Sequence, residues 1–324
     1  MDLQAVRTHL TPLLDTLGVD WRQHGIEITP VHAGMSASSF FIDVGAEAYV
    51  LRIQLRERLP GHWSQLVRLS ELAASVGVAP PIHAVDHGRR WLLSQRIAEV
   101  PLAAAMGAPG RALPLLRQLG RFVGKIHGIA LPEALEARSV EARTRALFAL
   151  LEERGPVPRP AQEAMDHFCG LDQPERPALA AVFCHHDLNP SNLLFDDSDL
   201  WCIDWETGGA GDAFGDLATL VNFMLLGQEA VGALMEGYFA ERGFEIERWE
   251  ERLFSARLLA YLCYGTSFLE LVEGDLEVGG REEKGSLADC YQAMGEGRLD
   301  SATDAGRRAL AGAMFRGYGE LALL

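Results

Sequence analysis

Apolar residues at Leu3, Val6, Leu10, Leu13, Leu14 and Leu17 recur at helical spacing and stop at Gly18, which predicts an amphipathic helix over 3–18. From about Ile26 the spacing becomes that of strands. Ile26–Val31, Ser39–Val44 and Ala48–Ile53 read as three short strands, the first two separated by the small-residue loop Ala33-Gly34-Met35-Ser36-Ala37-Ser38. A helix over Trp63–Val76 runs into G-V-A-P-P-I, a helix stop followed by a strand, and Arg90–Ile97 reads as a further strand. Beyond a small-residue connector at Pro101–Gly110, the pattern is mainly helical: Leu113–Ile129, Val140–Glu153, Ala161–Cys169, a stretch at Pro177–Val182, Gly215 to about Leu226, Arg252–Val272 and Ala302–Leu323.

One stretch interrupts the helices. Leu193-Leu194-Phe195 and Leu200-Trp201-Cys202-Ile203 flank Asp196-Asp197-Ser198-Asp199, and β-prone runs around a cluster of turn formers predict a tight hairpin. Before it lies H-x-D-x-x-x-x-N, formed by His185, Asp187 and Asn192; after it comes Asp204. The hairpin returns Asp204 towards the loop it left, so two carboxylates and a carboxamide converge. Phosphoryl transfer from a nucleotide uses such a set: one carboxylate orients the acceptor hydroxyl and takes its proton, while the others hold Mg²⁺ on the phosphates. Asp187 is the candidate base, and Asn192 and Asp204 the candidate metal ligands. The turn carboxylates Asp196, Asp197 and Asp199 read as solvated turn residues, and His185 as a residue that holds the loop. A competing reading makes His185, His186 and Asp187 a transition-metal cluster of a hydrolase.

The spacing resembles the protein-kinase catalytic loop, with D-W-E where a protein kinase has D-F-G. The 35 residues from Cys184 to Ala218, C-H-H-D-L-N-P-S-N-L-L-F…I-D-W-E…G-D…F-G-D-L-A, are similar to the aminoglycoside phosphotransferase and choline kinase superfamily. The I-D-W-E wording is more similar to its bacterial choline/ethanolamine and thiamine kinase branches.

The resemblance implies an α+β, protein-kinase-like fold of two lobes: a small strand-rich N-lobe over 1–98 that covers the nucleotide, and a larger, mainly helical C-lobe over 99–324. It implies ATP and Mg²⁺ as cofactors and a hydroxyl of a small molecule as acceptor. Arg52 stands where a kinase places the strand lysine that grips the phosphates. Gly34, Ser36 and Ser38 belong to a loop whose small side chains let backbone N–H groups approach them. Gln95 to Ile97 would form the hinge that bonds adenine. Asp216 resembles the aspartate that braces the catalytic loop through backbone N–H groups; a helix cap is an equal reading of a carboxylate there. The family's helical glutamate, partner of the strand cation, is not in place. Gln65 stands near its position and Glu71 about two turns later, so either the pair is absent or Glu71 serves from a shifted register.

The acceptor is expected between the late helices and the loop. An amino alcohol such as choline or ethanolamine would be held by Glu206 and by the faces of Tyr261, Tyr264 and Phe268, at about 0.5–2 kcal/mol per cation–π contact. A stripe of aromatics at this spacing is more often core. Aminoglycoside, thiamine and sugar kinases are the rivals within the class, and the acidic stretch from Glu270 to Glu283 offers a wider cleft for a polycation. A non-catalytic nucleotide-binding module is the rival outside it.

Composition narrows partners more than chemistry. With 324 residues and 48% hydrophobic content the chain is long enough for two well-filled lobes. A net charge of −16 disfavours nucleic acid and anionic membrane surfaces and suits a cationic acceptor. The N-terminal residues lack a signal-peptide pattern, and no apolar run reaches the roughly 18–20 residues of a membrane span. Five cysteines without C-x-x-C spacing fit reduced thiols, so a cytoplasmic setting is expected.

Overall fold

The computed structural model describes residues 3–31, 37–55, 61–133, 135, 137–171, 179–276 and 285–323. The N-terminal part is an antiparallel sheet of β1 (Glu27–Val31), β2 (Ala37–Val44), β3 (Glu47–Gln54), β4 (Ile82–Asp86) and β5 (Trp91–Gln95), in the order β1-β2-β3-β5-β4. Period-two alternation turns Phe40, Ile42, Val44, Leu51, Ile53 and Leu93 to one face. There they bury against Val6, Leu10 and Leu14 of α1 (Leu3–Thr16), each such side chain contributing about 1.5–3 kcal/mol. The same alternation sends Arg52, between Leu51 and Ile53, to the opposite face. Pro30 lies in the edge strand β1, where a missing N–H is tolerated.

After the short α2 (Trp21–His24) and before β4 comes α3 (His62–Ser75). Its buried Trp63, Leu66, Val67, Leu69 and Ala73 belong to the large core that also holds Leu119, Val123, Phe183, Trp205 and Leu234. This helix therefore joins the sheet to the helical part. The later helices are α4 (Leu102–Gly107), α5 (Ala112–His127), α6 (Val140–Arg154), α7 (Arg159–Gly170), α8 (Ala213–Phe223), α9 (Gln228–Arg242), α10 (Trp249–Glu270), α11 (Leu287–Gly295) and α12 (Asp304–Ala322). Helices α5 and α9 touch backbone to backbone. A Cβ on Gly120 would stand 2.0 Å from Leu234 O, and one on Gly237 the same 2.0 Å from Arg117 O, so only glycine fits either position. Helix α10 packs with α6, α7 and α12 around a second core that includes Phe148, Phe168, Leu262, Met314 and Phe315.

Two ribbons frame the polar loop: β6 (Val182–Cys184) with β9 (Gly209–Gly211), and β7 (Leu193–Phe195) with β8 (Leu200–Cys202). The predicted hairpin is present, and Val182, grouped by pattern with the helical stretches, is in a strand. Asp197 and Asp199 are exposed, as expected of a solvated turn, while Asp196 is half-buried and structural. Asp196 Oδ1 accepts from the backbone of Ser198 at 2.9 Å and of Asp199 at 2.7 Å, and these bonds, led by that from Asp199, hold its carboxyl down at about 2. The tip docks beside α5 through Arg111–Asp197 at 2.8 Å. The sides are stitched to the rest of the fold by Val100 N–H to Phe195 O and Cys202 N–H to Val78 O, both 2.7 Å. All five cysteines are free thiols, and no helix among the described residues is long and apolar enough to cross a membrane.

Candidate active site

The loop between β6 and β7 is built around one buried carboxylate. Asp216, in the first turn of α8 and 1% exposed, accepts the backbone N–H groups of His185 and His186, each at 2.8 Å, and lies 3.2 Å from His127 Nε2. Burial would push its carboxyl up. The hydrogen bond from His127 and the charges of the surrounding histidines outweigh that and hold it at about 2. Asp212, not Asp216, caps α8, so the two readings of Asp216 separate: it braces the loop.

His185 is fully buried, with Nε2 2.9 Å from Ile203 O and Nδ1 accepting the Asp187 N–H at 3.3 Å. Both ring nitrogens are thus used inside the loop, which removes the metallohydrolase reading of His185-His186-Asp187. The acidic, thiol and imidazole groups that do cluster among the described residues are His127, Cys184 and Asp216, all buried, with the Asp216 oxygens already committed to the loop. His186 adopts a left-handed backbone at φ 61°, a conformation that costs most non-glycine residues about 1–2 kcal/mol. Its ring lies against Gly211, where a Cβ would come within 2.3 Å of Cε1.

Asp187 and Asn192 are joined directly. Asn192 Nδ2 donates to Asp187 O at 2.8 Å and to Oδ2 at 3.1 Å, leaving Asn192 Oδ1 as the acceptor end of the amide. Asp187 Oδ1 accepts from Asn189 Nδ2 at 2.9 Å and from the Tyr264 hydroxyl at 2.7 Å. Burial, then the nearby Asp187, pushes the Tyr264 phenol well up, so it remains a neutral donor. Ile203 N–H donates to Asn192 O at 3.0 Å and carries the chain into Asp204, left-handed at φ 65° and ψ 58°. Aspartate is among the few side chains enriched in that region.

Asp204 Oδ1 is buried without a hydrogen-bond partner, although Arg52 Nη1 lies 2.9 Å away. An oxygen so placed, together with the acceptor end of the Asn192 amide, suits a hard divalent cation, and these two side chains would hold it.

The remaining expectations divide. Arg52 reaches the site from β3 but pairs with no described residue of α3. Its Nη2 donates to Glu206 Oε2 at 3.2 Å, while Gln65 donates to Gly208 O at 3.4 Å and Glu71 is exposed. Glu206, expected to face the acceptor, is thereby engaged by an arginine from the sheet. Ser38 lies in β2 opposite Ile53 and not in a loop; Gly34 and Ser36 lie outside the described residues, as do Glu277, Glu282 and Glu283. Gln95 ends β5 with its N–H donated to Pro81 O at 2.8 Å and its amide bonded to Ala48 O and His83, so its donors are spent within the sheet; Ile97 comes two residues later, half-buried, in the segment leading to α4.

Beside Asp187 opens a cavity of about 950 Å³ whose lining includes Tyr264, Phe268, Phe223, Tyr291 and Met294, with Glu206 and Glu270 also on its wall. Tyr261 does not line it. One turn before Tyr264, Tyr261 is 7% exposed in the core between α10 and α12, where a Cβ on Gly317 would strike its ring at 2.7 Å. Asn189 is a site residue that the sequence reading misses. Its signal is the N-P-S run, since its side chain caps the short 3₁₀ turn Pro190–Asn192 while its amide reaches Asp187.

A strand-rich part, a helical part, and a hairpin that returns an aspartate to an H-x-D-x-x-x-x-N loop make up an α+β, protein-kinase-like fold. The chain belongs to the phosphotransferase enzyme family, which it matches over residues 27–252. Among curated proteins it is similar to Protein LicA of Haemophilus influenzae, 44% identical over 55 residues, which are 17% of this chain and 21% of that one. The matched stretch thus spans about a fifth of that relative's length. The fold of this chain is similar to that of choline kinase from Cryptosporidium parvum, with a TM-score of 0.70 at 12% identity over 97% of this chain and 95% of the other. It is likewise similar to that of a spectinomycin phosphotransferase solved with ADP and spectinomycin, at 0.61, 14%, 95% and 98% respectively.

Proposed function

We propose that the chain transfers the terminal phosphoryl group of ATP, with Mg²⁺, to a hydroxyl of a small molecule seated in the cavity beside Asp187. Residues 1–98 would cover the nucleotide, and 99–324 would carry the loop and the acceptor. One observation carries the reading: the Asp187 carboxylate opens on a cavity and is linked to Asn192, which stands across the hairpin from Ile203, the residue before Asp204. Asp187 would orient the acceptor hydroxyl and take its proton. Asn192 Oδ1 and Asp204 would hold Mg²⁺, which when bound neutralises phosphate charge. Arg52 would add a fixed positive charge to the phosphates, so catalysis is mainly positioning and electrostatics.

For the acceptor, the likeness to choline kinase from Cryptosporidium parvum supports an amino alcohol such as choline or ethanolamine. Tyr264 and Phe268 offer aromatic faces and Asp187 and Glu270 negative charge, while Tyr261 leaves the cage and Glu206, on the cavity wall, is paired with Arg52. A second reading, a larger aminoglycoside-like acceptor, is favoured by the volume of about 950 Å³, near the top of the roughly 300–1,000 Å³ usual for ligand pockets. Equal concentrations of choline, ethanolamine, thiamine, a neutral sugar and an aminoglycoside, offered with Mg·ATP and compared by kcat/KM, separate the readings. Preference for the amino alcohols is expected; preference for the aminoglycoside or the sugar rejects them.

A further inference from the structure

Arg52 is mostly buried between two carboxylates, and they hold it differently. Its Nη2 donates a hydrogen bond to Glu206 Oε2 at 3.2 Å, whereas Asp204 Oδ1, 2.9 Å from Nη1, has no hydrogen bond in spite of its closeness. The side chains of Arg52 and Glu206 are 17% and 16% exposed, that of Asp204 33%. A guanidinium so enclosed needs a lasting partner, because a buried charge without one is strongly unfavourable.

Helix α3 supplies no carboxylate, yet it still takes part. His62 Nε2 lies 3.2 Å from Glu206 O, and Gln65 donates to Gly208 O at 3.4 Å, so α3 grips the 3₁₀ turn Trp205–Thr207 and the residue after it. Within the turn Trp205 is 1% exposed and donates through Nε1 to Cys202 O at 3.1 Å. The turn is therefore held from both sides, and the Glu206 carboxylate projects from a fixed base.

We propose that Glu206 is the positioning residue for Arg52, supplied by the turn after the hairpin in place of a carboxylate on α3. The inference rests on the reading of Arg52 as a ligand of the nucleotide phosphates. Arg52 and Asp204 form an ion pair at 2.9 Å without a hydrogen bond, and the more exposed Asp204 is the carboxylate able to turn to a divalent cation. Glu206 is then the carboxylate that keeps the guanidinium oriented, and the bond runs from the sheet to the helical part of the molecule. Glu206 also borders the acceptor cavity, so the opposing account is that it binds a cationic acceptor directly.

The experiment compares the full chain with Arg52→Ala, Glu206→Gln, Glu206→Asp and the double variant Arg52→Ala/Glu206→Gln. Calorimetry gives Kd for the Mg²⁺ complex of a non-hydrolysable ATP analogue, and steady-state kinetics give KM for ATP and for the acceptor found in the screen. Arg52→Ala and Glu206→Gln should each weaken the analogue by about tenfold or more. Glu206→Asp, which keeps the charge and folds with the least disturbance, should recover part of that loss. The double variant should be no weaker than Arg52→Ala by more than about twofold, the non-additivity expected of residues acting as one unit. KM for ATP should rise while KM for the acceptor stays unchanged. The proposal is overturned if Arg52→Ala weakens the analogue and Glu206→Gln does not, if the two losses multiply, or if Glu206→Gln raises only the acceptor KM. Unchanged analogue binding in Arg52→Ala would reject the phosphate role of Arg52 and this inference with it.

Discussion

The polar loop that floors the cavity and the cavity's wall meet at Asp187 but are held by different forces. On the floor, directional bonds do the fixing: Asp216 takes two backbone N–H groups, His185 bonds through both nitrogens, and Asn192 is tied to Asp187 twice. On the wall, Phe223 and Phe268 are placed by packing, and Tyr264 crosses over by bonding to Asp187. Hydrogen bonds fix an atom to a few tenths of an ångström and tolerate little change. Packed apolar surfaces accept other side chains of similar volume at modest cost. The floor is thus suited to defining the reaction and the wall to choosing what enters.

Substitutions can break that division, and the largest effect belongs to the floor. Asp187→Asn keeps the volume and removes the proton acceptor, so phosphoryl transfer should fall by about 10²–10⁴-fold for every acceptor, with nucleotide affinity little changed. Near-normal turnover would reject Asp187 as the base.

Next comes the scaffold beneath it. Asp216→Ala leaves two buried N–H groups without an acceptor, at about 1–3 kcal/mol each, and denaturant melts should show the loss. The pH dependence has a defined sign. The folded carboxyl titrates at about 2, below its ordinary 3.8, so its contribution is complete above 3.8 and disappears as pH falls towards 2. Asp216→Ala should lack that acid-side component; an unchanged acid profile would count against the brace.

The wall should answer differently. Phe268→Ala should raise KM for the preferred acceptor by about three- to thirtyfold, as loss of a contact of about 0.5–2 kcal/mol would, and should alter the ranking of acceptors while leaving KM for ATP unchanged. An equal fall in kcat for all acceptors would place Phe268 with the floor. The smallest effect is expected at the junction. Tyr264→Phe removes one of the donors to Asp187 and keeps the ring edge-on to Phe223, so kcat should fall about three- to tenfold, the worth of a single hydrogen bond of about 0.5–1.5 kcal/mol. A change in acceptor KM alone would make Tyr264 purely part of the wall.

Legibility in the sequence divides along similar lines. The hairpin, the loop ahead of it and the strands β1 to β3 are legible because their signals are local: alternation, turn residues and fixed spacing. Helix α9 is not, because its apolar positions are interspersed with glycines, and the purpose of Gly237, the close crossing with α5, lies in another part of the chain. The partner of Arg52 is expected on α3 and lies 154 residues away at Glu206, a pairing that no local pattern encodes. Tyr261 and Tyr264 share a helix and a spacing typical of one face, yet one enters the core and the other the cavity. A stripe fixes which residues are neighbours on a helix; it does not fix where a neighbouring helix ends and a void begins.

The ribbon of β7 and β8 also acts as a ruler. Its paired strands run Leu193–Phe195 and Leu200–Cys202, with Asn192 just before one and Asp204 two residues after the other. Because successive residues of a strand face opposite ways, one residue added within either strand would reverse the facing of every later position in it, whereas residues added at the tip would lengthen only the far end. Strand length is therefore a digital constraint on the distance between the two candidate metal ligands, set by counting residues and not by tuning their contacts. A chain that drifts in sequence along this ribbon keeps the spacing as long as it keeps the count.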